Sequence, residues 1–151
     1  MISFDAKALK KMSAAIAKVA ENAGDLRPAW PHVDRFTSRV FRMQFATEGA
    51  YLLRRKWRAW SPKWAKRRLR PGGGRGGIGR DTNRMWGSFV KPRAPEGVSR
   101  WDPLEYERGS VVPYALHFDR LRPIMPAKLP ENVVGTYLAL IERHMLDGVG
   151  A

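Results

Sequence analysis

The chain contains no cysteine. That excludes disulfides, thiolate-bound zinc, iron–sulfur clusters and thiol nucleophiles together. Histidine is nearly as scarce: His32, His117 and His144 are too few and too scattered to suggest a metal centre. Carboxylates are outnumbered two to one, 14 Asp and Glu against 28 Lys and Arg. A magnesium-dependent nuclease needs clustered carboxylates, and no such cluster is visible in the sequence. No apolar run approaches the roughly 18 residues of a membrane span. The opening stretch, MISFDAKALKKM, lacks the apolar segment of a secretion signal. The expectation is a soluble, intracellular protein with no cofactor, no metal and no membrane partner.

What is present is one domain's worth of chain. The 151 residues match the roughly 150 residues of an ordinary domain, so residues 1–151 are read as a single unit with a real core. The 44% hydrophobic content argues against wholesale disorder. The net charge is +14, and it is unevenly spread. Residues 1–50 carry +3, residues 51–100 carry +13, and residues 101–151 carry −2. Blocks of this kind mark solubilising faces or interaction surfaces. Thirteen net charges in fifty residues exceed what solubility needs, so the middle third is read as a functional basic surface with an acidic partner.

Hydrophobic periodicity predicts a first helix in which Phe4, Leu9, Met12, Ile16 and Val19 share a face, stopped by Asn22 and Gly24. Residues 25–32, with Pro28 and Pro31, read as a connector. A second helix starts near Asp34 and presents Phe36, Val40, Phe41, Met43, Tyr51 and Leu52. It is read as continuing past Gly49, where an interior glycine costs helix about 1 kcal/mol and a closely packed neighbour would account for it. Ser61 and Pro62 suit the N-cap and first turn of a short helix over 62–69. The tract GGGRGGIGR reads as a long, mobile, basic loop over about 70–80. It lacks the Lys–Ser/Thr pair and preceding strand of a phosphate-binding loop. Asp81 and Thr82 open another short helix supplying Met85, Trp86 and Phe89 to the core. Residues 91–110 read as strands and turns, 111–116 as a strand leading into a turn or short helix, and about 131–146 as a closing helix with Val134, Leu138, Ile141 and Met145 inward. The fold class is α+β, a small antiparallel sheet packed with N-terminal helices and a C-terminal one.

Catalytic chemistry finds little support. Asp119 follows His117 at a distance that allows pairing, but a hydrogen-bonded structural histidine in a turn is the favoured reading. His144 suits the negative end of a helix dipole. Ser61 and Ser88 lack a nucleophile-elbow setting. The chain is therefore read as not an enzyme. Trp57, Trp60 and Trp64 recur at intervals of three and four. Interleaved with arginine, they suit base stacking, but core and subunit-interface roles are favoured. Arg67, Arg68, Arg70, Arg75 and Arg80 are the candidates for contacts to duplex DNA phosphates or to a neighbouring protein.

The order of landmarks resembles the phage virion morphogenesis, or tail completion, family of Mu-like and P2-like phages and prophages. The resemblance covers roughly residues 40–146. It starts around Phe45 and Gly49 and runs through Trp60-Ser61-Pro62, with Lys66 in a following basic helix. It continues through Asp81-Thr82-Asn83-Arg84-Met85 with Ser88, where Asn83 stands in place of a family glycine. Gly109 and Val111 lead to Tyr114-Ala115-Leu116-His117-Phe118, similar to a family strand, and Pro126-Ala127-Lys128 precedes the last helix. The resemblance implies a small α+β structural subunit of the neck or tail end, in the virion, met first in the host cytoplasm during assembly. Related tail terminators and head–tail joining proteins form rings, commonly hexamers. Connector or tail-tube proteins are the implied neighbours, and packaged DNA is a further candidate partner. Trp57, Trp60, Trp64, Thr82, Tyr114, His117, Phe118 and Pro126 are then the interface or structural candidates. A basic nucleic-acid-binding module is the alternative reading.

Overall fold

The computed structural model describes residues 6–68, 77–80, 83–91 and 93–149, without the side chains of 6–8. Its elements are α1 (Ala6–Gly24), α2 (Trp30–Ala46), α3 (Ala50–Leu53), α4 (Pro62–Arg68), α5 (Arg84–Val90), β1 (Gly97–Trp101), β2 (Tyr106–Ser110), α6 (Ala115–Leu121) and α7 (Glu131–Met145). The expected α+β class is what forms: helices around one two-stranded antiparallel sheet, with Gly97 opposite Ser110 and Trp101 opposite Tyr106.

Helix α2 is the axis of the molecule. It starts four residues earlier than the sequence predicts, because Pro31 falls in its first turn, where a missing N–H costs nothing. Two faces of it are buried. Phe41 and Phe45 join Trp57, Ile78, Met85, Val90, Val112, Ala115 and Ile124 in the larger cluster. Val40 joins Leu52 and Val133, with Phe36, Tyr51, Leu129 and Tyr137 alongside. Met43, expected inward, is exposed. Between the faces lies Gln44, fully buried. Its Nε2 donates to the Ile124 carbonyl oxygen (2.9 Å) and its Oε1 accepts from Leu52 N–H (2.9 Å). One amide thus ties α2 to α3 and to the proline-rich arm before α7.

Helix α2 does not run on into Tyr51. Thr47 to Gly49 form a turn, and Gly49 takes φ +95°. A Cβ there would stand 2.5 Å from Cδ1 of Trp57. The close neighbour anticipated for this glycine is the indole that closes the core. Trp57 Nε1 in turn donates to the Pro123 carbonyl oxygen at 2.8 Å.

Helix α7 closes the fold against α1 and α2. Its buried side is Val133 with half-buried Tyr137, rotated in the first turns from the predicted one: Val134 and Leu138 are exposed, while Ile141 and Met145 are half-buried as expected. The hydroxyls of Tyr137 and Thr37 are hydrogen-bonded at 2.9 Å, which fixes the rotation. At its C-terminus Nδ2 of Asn22 is shared among the carbonyl oxygens of His144, Met145 and Asp147 at 2.9–3.1 Å. Two of these belong to the last turn of the helix, where carbonyls lack a partner further along it. His144 Nε2 also bonds the Asp25 carbonyl oxygen (2.9 Å). The predicted apolar face of α1 is only partly used: Leu9, Met12 and Ile16 are all exposed.

Two further expectations are corrected. Residues 111–116 form no strand; a turn at Val112–Tyr114 leads directly into α6. Ile78, assigned to the mobile loop, is buried in the core, with Gly79 (φ +78°) pressed between Phe45 and Phe118. Residues 69–76 of that loop lie outside the described residues, as do Asp81 and Thr82. The N-cap of α5 is Asn83 at φ +56°, a left-handed conformation that asparagine tolerates better than most residues.

Candidate interface and basic surface

Trp57, Trp60 and Trp64 do not share a helical face, because residues 54–61 are not helical. Trp57 points into the core. Trp60 is half-buried at the edge of the core and Trp64 is exposed; the two pack on each other, ring centroids 6.0 Å apart. Ser61 ends the extended segment as foreseen, its Oγ accepting from Trp64 N–H in a long bond of 3.4 Å.

Arginines cover these rings. The Arg67 guanidinium lies 5.0 Å from the Trp64 centroid and that of Arg68 lies 4.9 Å from Trp60. Arg122, from the far end of α6, reaches 5.5 Å from Trp60 and 5.9 Å from Phe118. Its Nε and one terminal nitrogen donate to the carbonyl oxygens of Arg58 and Ala59 (2.9 and 3.2 Å). Loss of solvent, reinforced by the charge of Arg58, holds the Arg122 guanidinium below its ordinary pKa. Arg80 sits 4.9 Å from the Trp86 ring. Each such contact is worth about 0.5–2 kcal/mol, depending on how dry it is.

Three of the five arginines singled out from sequence, Arg67, Arg68 and Arg80, are thus placed on tryptophan faces. Arg70 and Arg75 lie outside the described residues. Among the described residues, no ion pair takes a cation from the stretch Arg54–Arg67. The cations of Arg54–Arg67 are therefore left uncompensated by carboxylates among the described residues, and one of them, Arg67, is held on an aromatic ring.

Helix α6 forms the opposite wall. Tyr114 and His117 are exposed at its start, while Phe118 is half-buried against Phe45 and Trp57 at 6.4 and 5.3 Å. The cleft between residues 58–64 and α6 has a volume of about 730 Å³. His117 does not pair with Asp119, since residues two apart on a helix do not face each other. Asp119 Oδ1 accepts instead from Ile124 N–H (2.7 Å). His117 has no hydrogen bond among the described residues, so the expectation of a hydrogen-bonded histidine in a turn is also corrected. Pro126, half-buried, lies in the arm that Gln44 and Asp119 pin through Ile124.

One polar cluster has no sequence signal, because its members lie 65 to 74 residues apart. Asp34 Oδ1 accepts from Arg108 (2.9 Å), Tyr106 Oη (2.8 Å) and Ser99 Oγ (3.3 Å). The Asp34 and Arg108 side chains are almost fully buried. Burial drives the Tyr106 phenol well above its ordinary pKa, and the adjacent Asp34 carboxylate acts in the same direction. The cluster staples the sheet to α2. Its groups are committed to one another and to backbone, so it reads as structure. Among the described residues, no group of three or more His, Asp or Glu side chains could hold a metal. No helix among them is long and apolar enough to cross a membrane. No family model, characterised protein or solved structure matches the chain.

Proposed function

We propose that the chain is a non-enzymatic structural subunit of a tailed phage or phage-like particle. It forms a homo-oligomeric ring at the neck or tail end that completes the tail or joins head to tail. The observation that carries this reading is the distribution of exposed apolar side chains around a well-formed core. Leu9, Met12 and Ile16 on α1, Trp101 and Leu104 at the hairpin, Leu116 and Leu121 on α6, and Val134 and Leu138 on α7 all face solvent. Single exposed apolar residues are ordinary; several groups on one small domain mark protein–protein contact. The ordered landmarks from Phe45 to Lys128 supply the particle context, with connector or tail-tube proteins as neighbours. Native mass spectrometry and light scattering test it. Masses at a fixed multiple of 17.2 kDa and a ring in electron micrographs are expected. A monomer at every concentration would remove the reading.

A second reading, contact with duplex phosphates, is favoured by the uncompensated cations from Arg54 to Arg67. It predicts duplex binding that weakens steeply with salt, by a log–log slope of about −4 to −5 for five phosphate contacts. A flat titration at low salt eliminates it.

A further inference from the structure

The hairpin and the cleft are complementary, and they lie at opposite ends of α2. The turn between β1 and β2 exposes two large apolar side chains, Trp101 (43%) and Leu104 (67%). Asp102 and Glu105, both exposed, flank them, while Glu107 is paired with Arg100 of the same hairpin at 3.5 Å. The tip is rigid. The Asp102 carbonyl oxygen accepts from Trp30 Nε1 and that of Pro103 accepts from Leu26 N–H, both at 2.7 Å. This pins the tip at the N-terminal end of α2. The cleft offers the reverse chemistry: it is lined by Trp60, Trp64 and Leu121 together with Arg58, His117 and Arg122. Its volume falls within the roughly 300–1,000 Å³ range of pockets that enclose a ligand. It is built on Trp57 and Phe118, which pack on Phe45 at the C-terminal end of α2.

We propose that the hairpin tip of one copy seats in this cleft of the next copy, Leu104 and Trp101 against the tryptophans and Glu105 against Arg58. Helix α2 has 17 residues, so about 25 Å separates its ends at 1.5 Å per residue. A chain cannot seat its own pinned tip across that distance. Two different patches at opposite ends make a head-to-tail contact, which closes into a ring or runs on as a filament. The docking rests on the self-assembly proposed above and names the surfaces that perform it.

The test uses the full chain and two variants. One disables the tip, Leu104→Asp with Glu105→Lys. The other disables the cleft, Arg58→Glu with Leu121→Asp. All four side chains are exposed, so circular dichroism should match the wild type. In sedimentation velocity each variant alone should be monomeric where the wild type assembles. Their equimolar mixture should form a heterodimer and nothing larger, since one intact tip–cleft pair remains. If either double variant misfolds, the single changes carry the test. Glu105→Lys or Arg58→Glu alone should raise the assembly midpoint about tenfold or more, and the two in one chain should restore it, because like charges at a contact are costly and swapped ones are not. Assembly of either double variant at wild-type concentration overturns the docking and leaves the ring standing. So does a well-folded mixture that stays monomeric, or loss on the cleft side only, which means another occupant. A wild type that never assembles overturns both.

Discussion

Replacing Gly49 by alanine isolates the joint on which the basic surface depends. Two costs arise. At φ +95° an L-residue is strained by about 1–2 kcal/mol. The new methyl would also stand 2.5–2.9 Å from three atoms of the Trp57 ring. Trp57 cannot step aside cheaply, because its ring packs on Phe45 and Phe118 and its N–H is committed to Pro123. Overpacking of this kind costs about 1–3 kcal/mol. The sum, about 2–5 kcal/mol, is a large share of the 5–15 kcal/mol that holds a domain folded. It corresponds to a fall in Tm of roughly 4–20 °C at this size. Urea unfolding should show a lower midpoint with an unchanged slope. A double-mutant cycle with Trp57→Ala separates the two costs: the clash vanishes and the strain stays. The pair should therefore cost about 1–3 kcal/mol less than the sum of the singles. A Gly49→Ala change within about 0.5 kcal/mol of wild type, or an additive cycle, refutes the joint.

Three other perturbations probe the frame around it. Asp34→Ala leaves the Arg108 guanidinium buried without its carboxylate and should cost about 3–5 kcal/mol in urea unfolding; a loss under 1 kcal/mol means that solvent reaches the pair. Gln44→Leu fills the same space but orphans the Ile124 carbonyl and the Leu52 N–H, at about 1–3 kcal/mol each, and amide exchange at Leu52 should accelerate; unchanged protection there refutes the bridge. Hydrogen bonds from Arg27 hold the Asp25 carboxyl down at about 2, below its ordinary 3.8. Its folded-state pKa is depressed, so whatever stability it contributes is present above pH 4 and lost as pH falls towards 2. A carbon-detected NMR titration should place the midpoint there and Arg27→Ala should return it to the ordinary range; an unshifted midpoint in the wild type contradicts the pair.

The helices were legible where a period of 3.6 runs for four turns, as in α1, α2 and α7. Their faces were less so. Leu9, Met12 and Ile16 form a genuine stripe, but a stripe does not say whether its cover lies within the same chain. In α7 the inward side turns on Tyr137, which an apolar count passes over and whose hydroxyl is committed to Thr37. The run Val111–Leu116 is too short for periodicity to separate strand from helix, and α6 took its last two residues. Gly49 and Asn83 were legible for a different reason. Each carries a backbone conformation that few residues tolerate, and that constraint is local.

The basic surface shows the deeper limit, since charge by segment is not charge by surface. The sequence assigns the excess to residues 51–100 and leaves 101–151 slightly acidic. Yet Arg122, from the acidic segment, lies on Trp60 and fastens to the backbone of Arg58 and Ala59. Arg84, from the basic segment, is taken up by Glu96 in a two-pronged pair that draws down the Glu96 carboxyl. The cationic wall is therefore assembled across 64 residues, by an arginine whose planar group can stack and donate at once. Lysine offers no such plane. Arg122→Lys would keep the net charge while releasing the 58–61 segment from α6, so position, more than charge, is what this side chain supplies to the cleft.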